Sequence, residues 1–242
     1  MCHKFLLLGI FAMTLLLPAQ ETLPPVSRTD WAGDYYQQLT KQAAALQGQT
    51  VPVVFLGDSI THGWAWKSDV KYPGGREIWD TDLAEFKPFN LGVSGDTVPN
   101  VLWRVTEGKQ LDGYQAQVLV LMISVNDLLR SKCDPEKAVL ITNTLELLLK
   151  TLREKQPQAK IMLLSVLPFA SERNQIRTYV NDRARKFCES NDMIYFDLSP
   201  VFLDADGKLI NMRDGLHPAP HAYKLMADQL VPQLRKLLQN KP

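Results

Sequence analysis

A serine, a glycine, an asparagine, an aspartate and a histidine stand in four short strings of this chain. The strings are Gly57-Asp58-Ser59, Gly92-Val93-Ser94-Gly95, Val125-Asn126-Asp127 and Asp214-Gly215-Leu216-His217. A serine hydroxyl is a poor nucleophile until a neighbouring base takes its proton. His217 is the candidate base, since the chain has four histidines and His3 falls in an N-terminal stretch of a different kind. With Asp214 three residues ahead, a turn lets the carboxylate accept from Nδ1 and leaves Nε2 to face Ser59, the arrangement that stabilises an imidazolium during acyl transfer. The N–H groups of Ser59 and Gly95, with the neutral amide of Asn126, would serve as donors for the oxyanion of a tetrahedral intermediate. The chemistry these residue types point to is cleavage of a carboxylic ester through an acyl-enzyme.

Each string also has a plainer reading. Asp58-Ser59 ahead of Ile60 could cap a helix. Asp214 could make an Asx turn before the last helix, helped by Pro218 and Pro220. Gly92 and Gly95 could form a tight turn, and Asn126-Asp127 could cap another helix. None of these roles excludes the chemistry. Asp58, Trp64 and Asp127 are candidate substrate contacts. Trp64 and Trp66 could stack on a sugar ring or line an acyl pocket, though aromatic residues so placed are more often core. His217 and His221 have the spacing of a helical metal pair, but Pro218-Ala219-Pro220 disrupts a helix there and no third ligand accompanies them, so neither metal nor cofactor is expected.

The elements that must position these residues are legible from periodicity. Val51–Leu56, Phe89–Leu91, Val118–Ile123, Ile161–Val166 and Met193–Phe196 are short apolar runs that read as buried strands. Ala138, Ile141, Leu145, Leu148 and Leu152 repeat at helical spacing, as do Ile176, Val180, Ala184 and Phe187. Tyr223, Met226, Leu230, Leu234 and Leu237 form a third such face, where Pro232 should kink or split the helix. A polar helix is expected from about Trp31 to Leu46, ended by Gly48. Strands alternating with helices imply right-handed crossovers, hence a five-stranded parallel sheet with helices on both faces: a three-layer, flavodoxin-like α/β fold. Such sheets gather ligands at the carboxyl ends of their strands, where Ser59, Gly95 and Asn126 all fall.

The 242 residues, 45% of them hydrophobic, suffice for one α/β domain. Lys4 followed by the apolar run Phe5–Leu17 and Pro18-Ala19-Gln20-Glu21 reads as a signal peptide over residues 1–19. Residues 20–50 would form a linker and helix, and residues 51–242 the domain. An exported protein without a stable membrane anchor is expected. The formal charge is +1, and the first nineteen residues carry only Lys4, so no basic face suggests nucleic acid as a partner. Export permits a disulfide between Cys133 and Cys188, but spacing alone does not establish one. The oligomeric state stays open.

Taken together, the blocks resemble the GDSL-type, or SGNH, hydrolases: Ser59, Gly95, Asn126 and His217 fall at the four namesake positions, and Asp214 matches the acid of the Asp-x-x-His block. Phe55-Leu56-Gly57-Asp58-Ser59-Ile60-Thr61-His62-Gly63-Trp64, Asn90–Thr97 and Val101-Leu102-Trp103-Arg104 are similar to the branch of the intracellular platelet-activating-factor acetylhydrolase catalytic subunits. The resemblance spans about residues 51 to 239. It implies cofactor-free hydrolysis of short acyl esters, often acetyl groups on lipids or carbohydrates. For an exported member, acetylated carbohydrate is the leading expectation. Longer acyl chains (a lysophospholipase or thioesterase) and a non-catalytic carbohydrate binder are the rivals. One position departs from the pattern: Ser124 stands where the family's third block usually has glycine, and its Cβ and hydroxyl could shift Asn126.

Overall fold

The computed structural model describes residues 20–132, 134–170 and 174–239. The expected signal peptide, and Cys133 with any pairing it makes, lie outside the described residues. Five parallel strands form one sheet: β1 (Thr50–Gly57), β2 (Phe89–Gly92), β3 (Gln115–Met122), β4 (Lys160–Leu164) and β5 (Ile194–Phe196), in the order β2-β1-β3-β4-β5. This is the flavodoxin-like order, and each expected run is a strand to within a few residues.

Eight α-helices complete the described fold: α1 (Trp31–Ala44), α2 (Ser59–His62), α3 (Arg76–Thr81), α4 (Val98–Val105), α5 (Val125–Arg130), α6 (Pro135–Lys155), α7 (Asn174–Ser190) and α8 (Pro220–Gln239). Helices α4, α6 and α7 pack in series, while α3 packs on α8. Right-handed crossovers place these two groups on opposite faces, because the chain steps one way from β1 to β2 and the other way from β2 through β5. The five periodic apolar positions of α6, Ala138, Ile141, Leu145, Leu148 and Leu152, are buried to within a few per cent. Pro135 at the first turn and Asp134, accepting from the N–H groups of Glu136 and Lys137, start that helix. Cys188 of α7 carries a free, fully buried thiol, which burial, aided by Glu189, pushes up to about 12.

Of the two outcomes expected at Pro232, a kink or a split, the split does not occur: α8 runs unbroken from Pro220 to Gln239. Proline removes the bond to the carbonyl four residues back, that of Asp228, and both residues lie on the exposed face, where water can serve that carbonyl. The buried stripe of Tyr223, Met226, Leu230 and Leu234 continues past it and holds the helix to the sheet.

The sheet order reverses between β1 and β3, and their carboxyl ends are level, with Gly57 opposite Met122 and, on the other side, Gly57 opposite Gly92. Three loops therefore leave the sheet side by side at its switch point. Close packing there needs glycine. A Cβ on Gly57 would stand 2.1 Å from the Met122 carbonyl oxygen, and one on Gly92 would stand 2.2 Å from the His62 nitrogen. Gly57→Ala is expected to lower stability by about 2–3 kcal/mol, since backbone rather than a flexible side chain must move; urea unfolding of the variant checks this.

Candidate active site

The turn after β1 is set by Asp58, whose carboxylate caps α2 by accepting from the Ile60 N–H at 2.9 Å. Ser59 is then the first residue of α2, and its N–H is among those a helix start leaves without an intrahelical carbonyl. Two distant side chains hold this short helix by its carbonyls: Asn90 Nδ2 donates to Thr61 O at 3.0 Å, and the Tyr223 hydroxyl donates to Ile60 O at 3.1 Å.

Asp214 and His217 share a self-closed turn. One Asp214 carboxylate oxygen accepts from the N–H groups of Leu216 and His217, at 3.1 and 2.8 Å, while the other lies 2.9 Å from His217 Nδ1. The Asx turn and the histidine orienter are thus the same carboxylate. Gly215, at φ 78°, makes the turn feasible. His217 Nε2 lies 3.0 Å from Ser59 Oγ. Partial burial would push the Asp214 carboxyl up, but hydrogen bonds from the His217 N–H, the imidazole and Arg213 outweigh it and hold the group well below the usual carboxylate range. Arg213 itself is anchored to Pro73 O at 2.8 Å. The acid next to the imidazole is therefore ionised throughout the neutral range.

The loop after β2 is clamped by its carbonyls. Ser94 O accepts from Arg28 Nη1 at 2.6 Å, Gly95 O from Arg130 Nη2 at 2.7 Å, and Asp96 O from Asn126 Nδ2 at 2.9 Å. With three successive carbonyls tied back, the peptide N–H groups of the loop have a set direction. Gly95 sits at φ 84°, which a side chain would resist. One N–H of the Asn126 amide is taken by Asp96 O, which fixes the amide plane and leaves its second N–H for a ligand. Ser59, Gly95, Asn126, Asp214 and His217 all line one cleft of about 710 Å³. The five residues singled out in the sequence for the chemistry thus meet in one place.

Three expected substrate contacts are placed elsewhere. Asp58 is fully buried as the α2 cap. Asp127 is buried and accepts from the Val98 N–H at 3.0 Å, tying α5 to α4. Trp64 is 2% exposed and packs edge-on against Tyr223 in the core. None of the three lines the cleft. The tryptophan that does is Trp66, beside the His62 ring at 5.2 Å, together with Trp31 and Tyr72. His62 is pushed down to about 4 by burial and, secondarily, by Arg104, so it faces the cleft as a neutral ring. His221 meets Asn211 Oδ1 at 3.0 Å, and among the described residues no cluster has the makeup of a metal site.

Arg28, Arg130, Arg213 and Trp31 escaped the sequence reading. Arginines holding carbonyls have no spacing signature, and Trp31 lies outside every motif. Only the Arg28-x-Asp30 pair offered a local hint, since Asp30 caps α1 and binds the Arg28 guanidinium.

Comparison with known proteins matches residues 55–225 to the model of the GDSL-like lipase/acylhydrolase family. The chain belongs to that family. This acylhydrolase is 27% identical over 192 residues to the human platelet-activating factor acetylhydrolase IB subunit alpha1, covering 77% of this chain and 76% of that one. It is 26% identical over 203 residues to the bovine alpha2 subunit, covering 78% and 79%. The resemblance read from the motif blocks is borne out. Among solved structures, a GDSL-like lipase from Bacteroides thetaiotaomicron superposes with a TM-score of 0.65 at 19% identity, over 83% of this chain and 97% of that one. An acetylxylan esterase from Geobacillus stearothermophilus does so with 0.57 at 18%, over 78% and 94%. These likenesses support the α/β acylhydrolase fold.

Ser124 is explained by the turn it occupies. Only Ile123 and Ser124 separate β3 from α5, and Ser124 takes φ 95°, ψ −14°, in the region that favours glycine. Its buried hydroxyl has no hydrogen-bond partner. Relief of the strained φ and of the unpaired hydroxyl opposes the extra chain entropy of glycine, so Ser124→Gly is expected to raise stability by about 1 kcal/mol. Turnover should be retained or raised, as thermal denaturation and ester assays would show.

Asp58 gives a pH dependence of definite sign. Burial pushes its carboxyl up to about 7, against the hydrogen bond from Ile60 and with repulsion from Asp96 and Asp127. Between the usual 3.8 and about 7 the folded state keeps a proton that the unfolded chain releases. The stability contributed by this group is present below pH 3.8 and lost as pH rises through about 7. Asp58→Asn, which keeps a capping oxygen, should therefore be less sensitive than wild type to a rise from pH 5 to 8 in urea unfolding.

Proposed function

We propose that this acylhydrolase is an exported serine esterase that removes short acyl groups, chiefly acetyl, from carbohydrate. The observation that carries the reading is the continuous chain from Asp214 through His217 to Ser59, at 2.9 and 3.0 Å, opening into the cleft. In the proposed reaction His217 Nε2 takes the Ser59 proton as Oγ attacks the ester carbonyl. Asp214, kept ionised by its hydrogen bonds, stabilises the imidazolium. The oxyanion lies among the N–H groups of Ser59 and Gly95 and the Asn126 amide. Return of the proton to the leaving alkoxide frees the alcohol and leaves an acyl-serine. Water then repeats the sequence in reverse and releases the acid.

The acid and base roles need no metal, because the neutral donors and the imidazole account for every proton moved. The apolar run Phe5–Leu17 supports export. The acetyl and carbohydrate preferences rest on the kinds of protein this chain is similar to, and on the aromatic character of the cleft. Tyr72 and Trp31, which line it, are 60% and 53% exposed, and the aliphatic lining is limited to Val70 and Leu216.

A fluorophosphonate probe should label Ser59 in the folded wild type, and Ser59→Ala should abolish both labelling and release of acetate. Asn126→Ala is expected to lower kcat by about 100- to 1,000-fold, with KM little changed, because its free N–H acts on the oxyanion. A wild-type protein that is folded but neither labelled nor active on acetate esters would end this reading.

A further inference from the structure

Trp31 belongs to two clefts at once. On one side it lines the cleft that holds Ser59 and His217; on the other it lines a second, larger one of about 860 Å³. This second cleft runs between α1 and the end of α4, outside the proposed chemistry. Trp31, Asp34, Gln37 and Lys41 lie along one stripe of α1 at helical spacing, and all four line it. Trp103 and Glu107 form the facing wall. At 1.5 Å per residue the stripe extends about 15 Å, more than a single sugar ring needs.

The position of Trp31 is held from several sides. The Arg28 guanidinium lies 5.4 Å from its ring centroid and is itself tied to Ser94 O and to Asp30, the α1 cap. Tyr35 and His62 flank the indole at 6.1 and 6.5 Å. A flat, fixed indole suits the C–H face of a pyranose, and the polar stripe beyond suits the hydroxyls of the next rings. A fatty chain would meet Asp34, Gln37, Lys41 and Glu107 instead, with nothing to bury against and carboxylates, an amide and an ammonium to desolvate.

We propose that these two clefts form one glycan-binding groove, in which an acetylated oligosaccharide crosses Trp31 and lays its further sugar residues along the α1 stripe. The proposal rests on the esterase reading above and adds a polymeric leaving group to it. It also assigns a binding role to residues 28–41, which lie before the residues 55–225 matched by the family model.

Acetate release from O-acetylated xylo-oligosaccharides of increasing length, from two to six residues, tests the groove. In wild type KM should fall by about tenfold across the series while kcat stays nearly level, the effect of one added stacking contact with its hydrogen bonds. Trp31→Ala should flatten that dependence, and Trp31→Phe, which keeps a ring, should restore most of it. Gln37→Ala should cost more on the hexamer than on the dimer. Tyr179→Ala, on the exposed face of α7, should keep the wild-type dependence. Thermal denaturation of each variant separates these effects from loss of fold. A wild-type KM indifferent to chain length, or a dependence that survives in Trp31→Ala, would overturn the groove. So would a Trp31→Ala loss confined to esters of long acyl chains, since the indole would then serve the acyl side. Fluorophosphonate labelling of Ser59 in the same samples keeps the two claims apart, because a labelled, active enzyme without chain-length dependence refutes the groove alone.

Discussion

The Asp96 carboxylate, buried with no exposed surface, is the point on which the site depends. One of its oxygens meets Arg104 Nη1 at 2.9 Å; the other accepts from the Tyr36 hydroxyl at 2.6 Å and from Arg28 at 3.2 Å. Arg104 is equally buried and also donates to Leu91 O and Gln110 Oε1. A buried ion pair adds little over apolar packing, but removing one partner strands a charge at a cost of about 3–5 kcal/mol. Its value here is therefore specificity of position. Through it β2, α1, α4 and the loop carrying Gly95 share one set of coordinates. The Asp96 carbonyl passes those coordinates on to Asn126 from the far side of β1.

Much of this was legible in the sequence because periodicity and local spacing encode it. The strand runs, the α6 stripe and the Asp214–His217 turn are relations between near neighbours, and each is met in the structure. What was missed is long-range or depends on which face of a short element is buried. Trp64 lies inside the short 3-10 turn Gly63–Ala65, whereas Trp66 follows it in extended backbone, so the chain leaves the turn between them and sends one ring into the core and the other to the cleft. Sequence could not choose between them. Asp58 and Asp127 were misread for a related reason: a carboxylate beside a reactive residue can face the ligand or the backbone, and capping geometry decides. Pro232 leaves its helix unsplit, because water can serve the carbonyl that it deprives of a bond.

Ser124 shows how local strain and global placement interact. A two-residue connection from β3 to α5 puts Asn126 close to the end of the sheet, beside the turn that carries Ser59. That shortness demands a left-handed residue, and the chain uses serine despite an unpaired hydroxyl. The cost is tolerable because Ser124 is flanked by a buried strand and a helix whose Asp127 is tied to the Val98 N–H. Surrounding order, rather than intrinsic preference, holds the conformation.

The electrostatics behind the proposed nucleophile follow from the same burial. Asp58 and Asp127 both follow the carboxyl ends of interior strands, β1 and β3, and desolvation pushes each carboxyl up to about 7. Two ionised carboxylates there would set a negative field behind the position where an oxyanion is proposed to form. Burial raises both to about 7, so at neutral pH each carries only part of its charge and that field is weakened. Asp214 differs from these two in being partly exposed and strongly hydrogen-bonded, and it is held far below the usual carboxylate range. Acids of one region are thus driven apart in charge, and the carboxylate held firmly ionised by its hydrogen bonds is the one next to the imidazole.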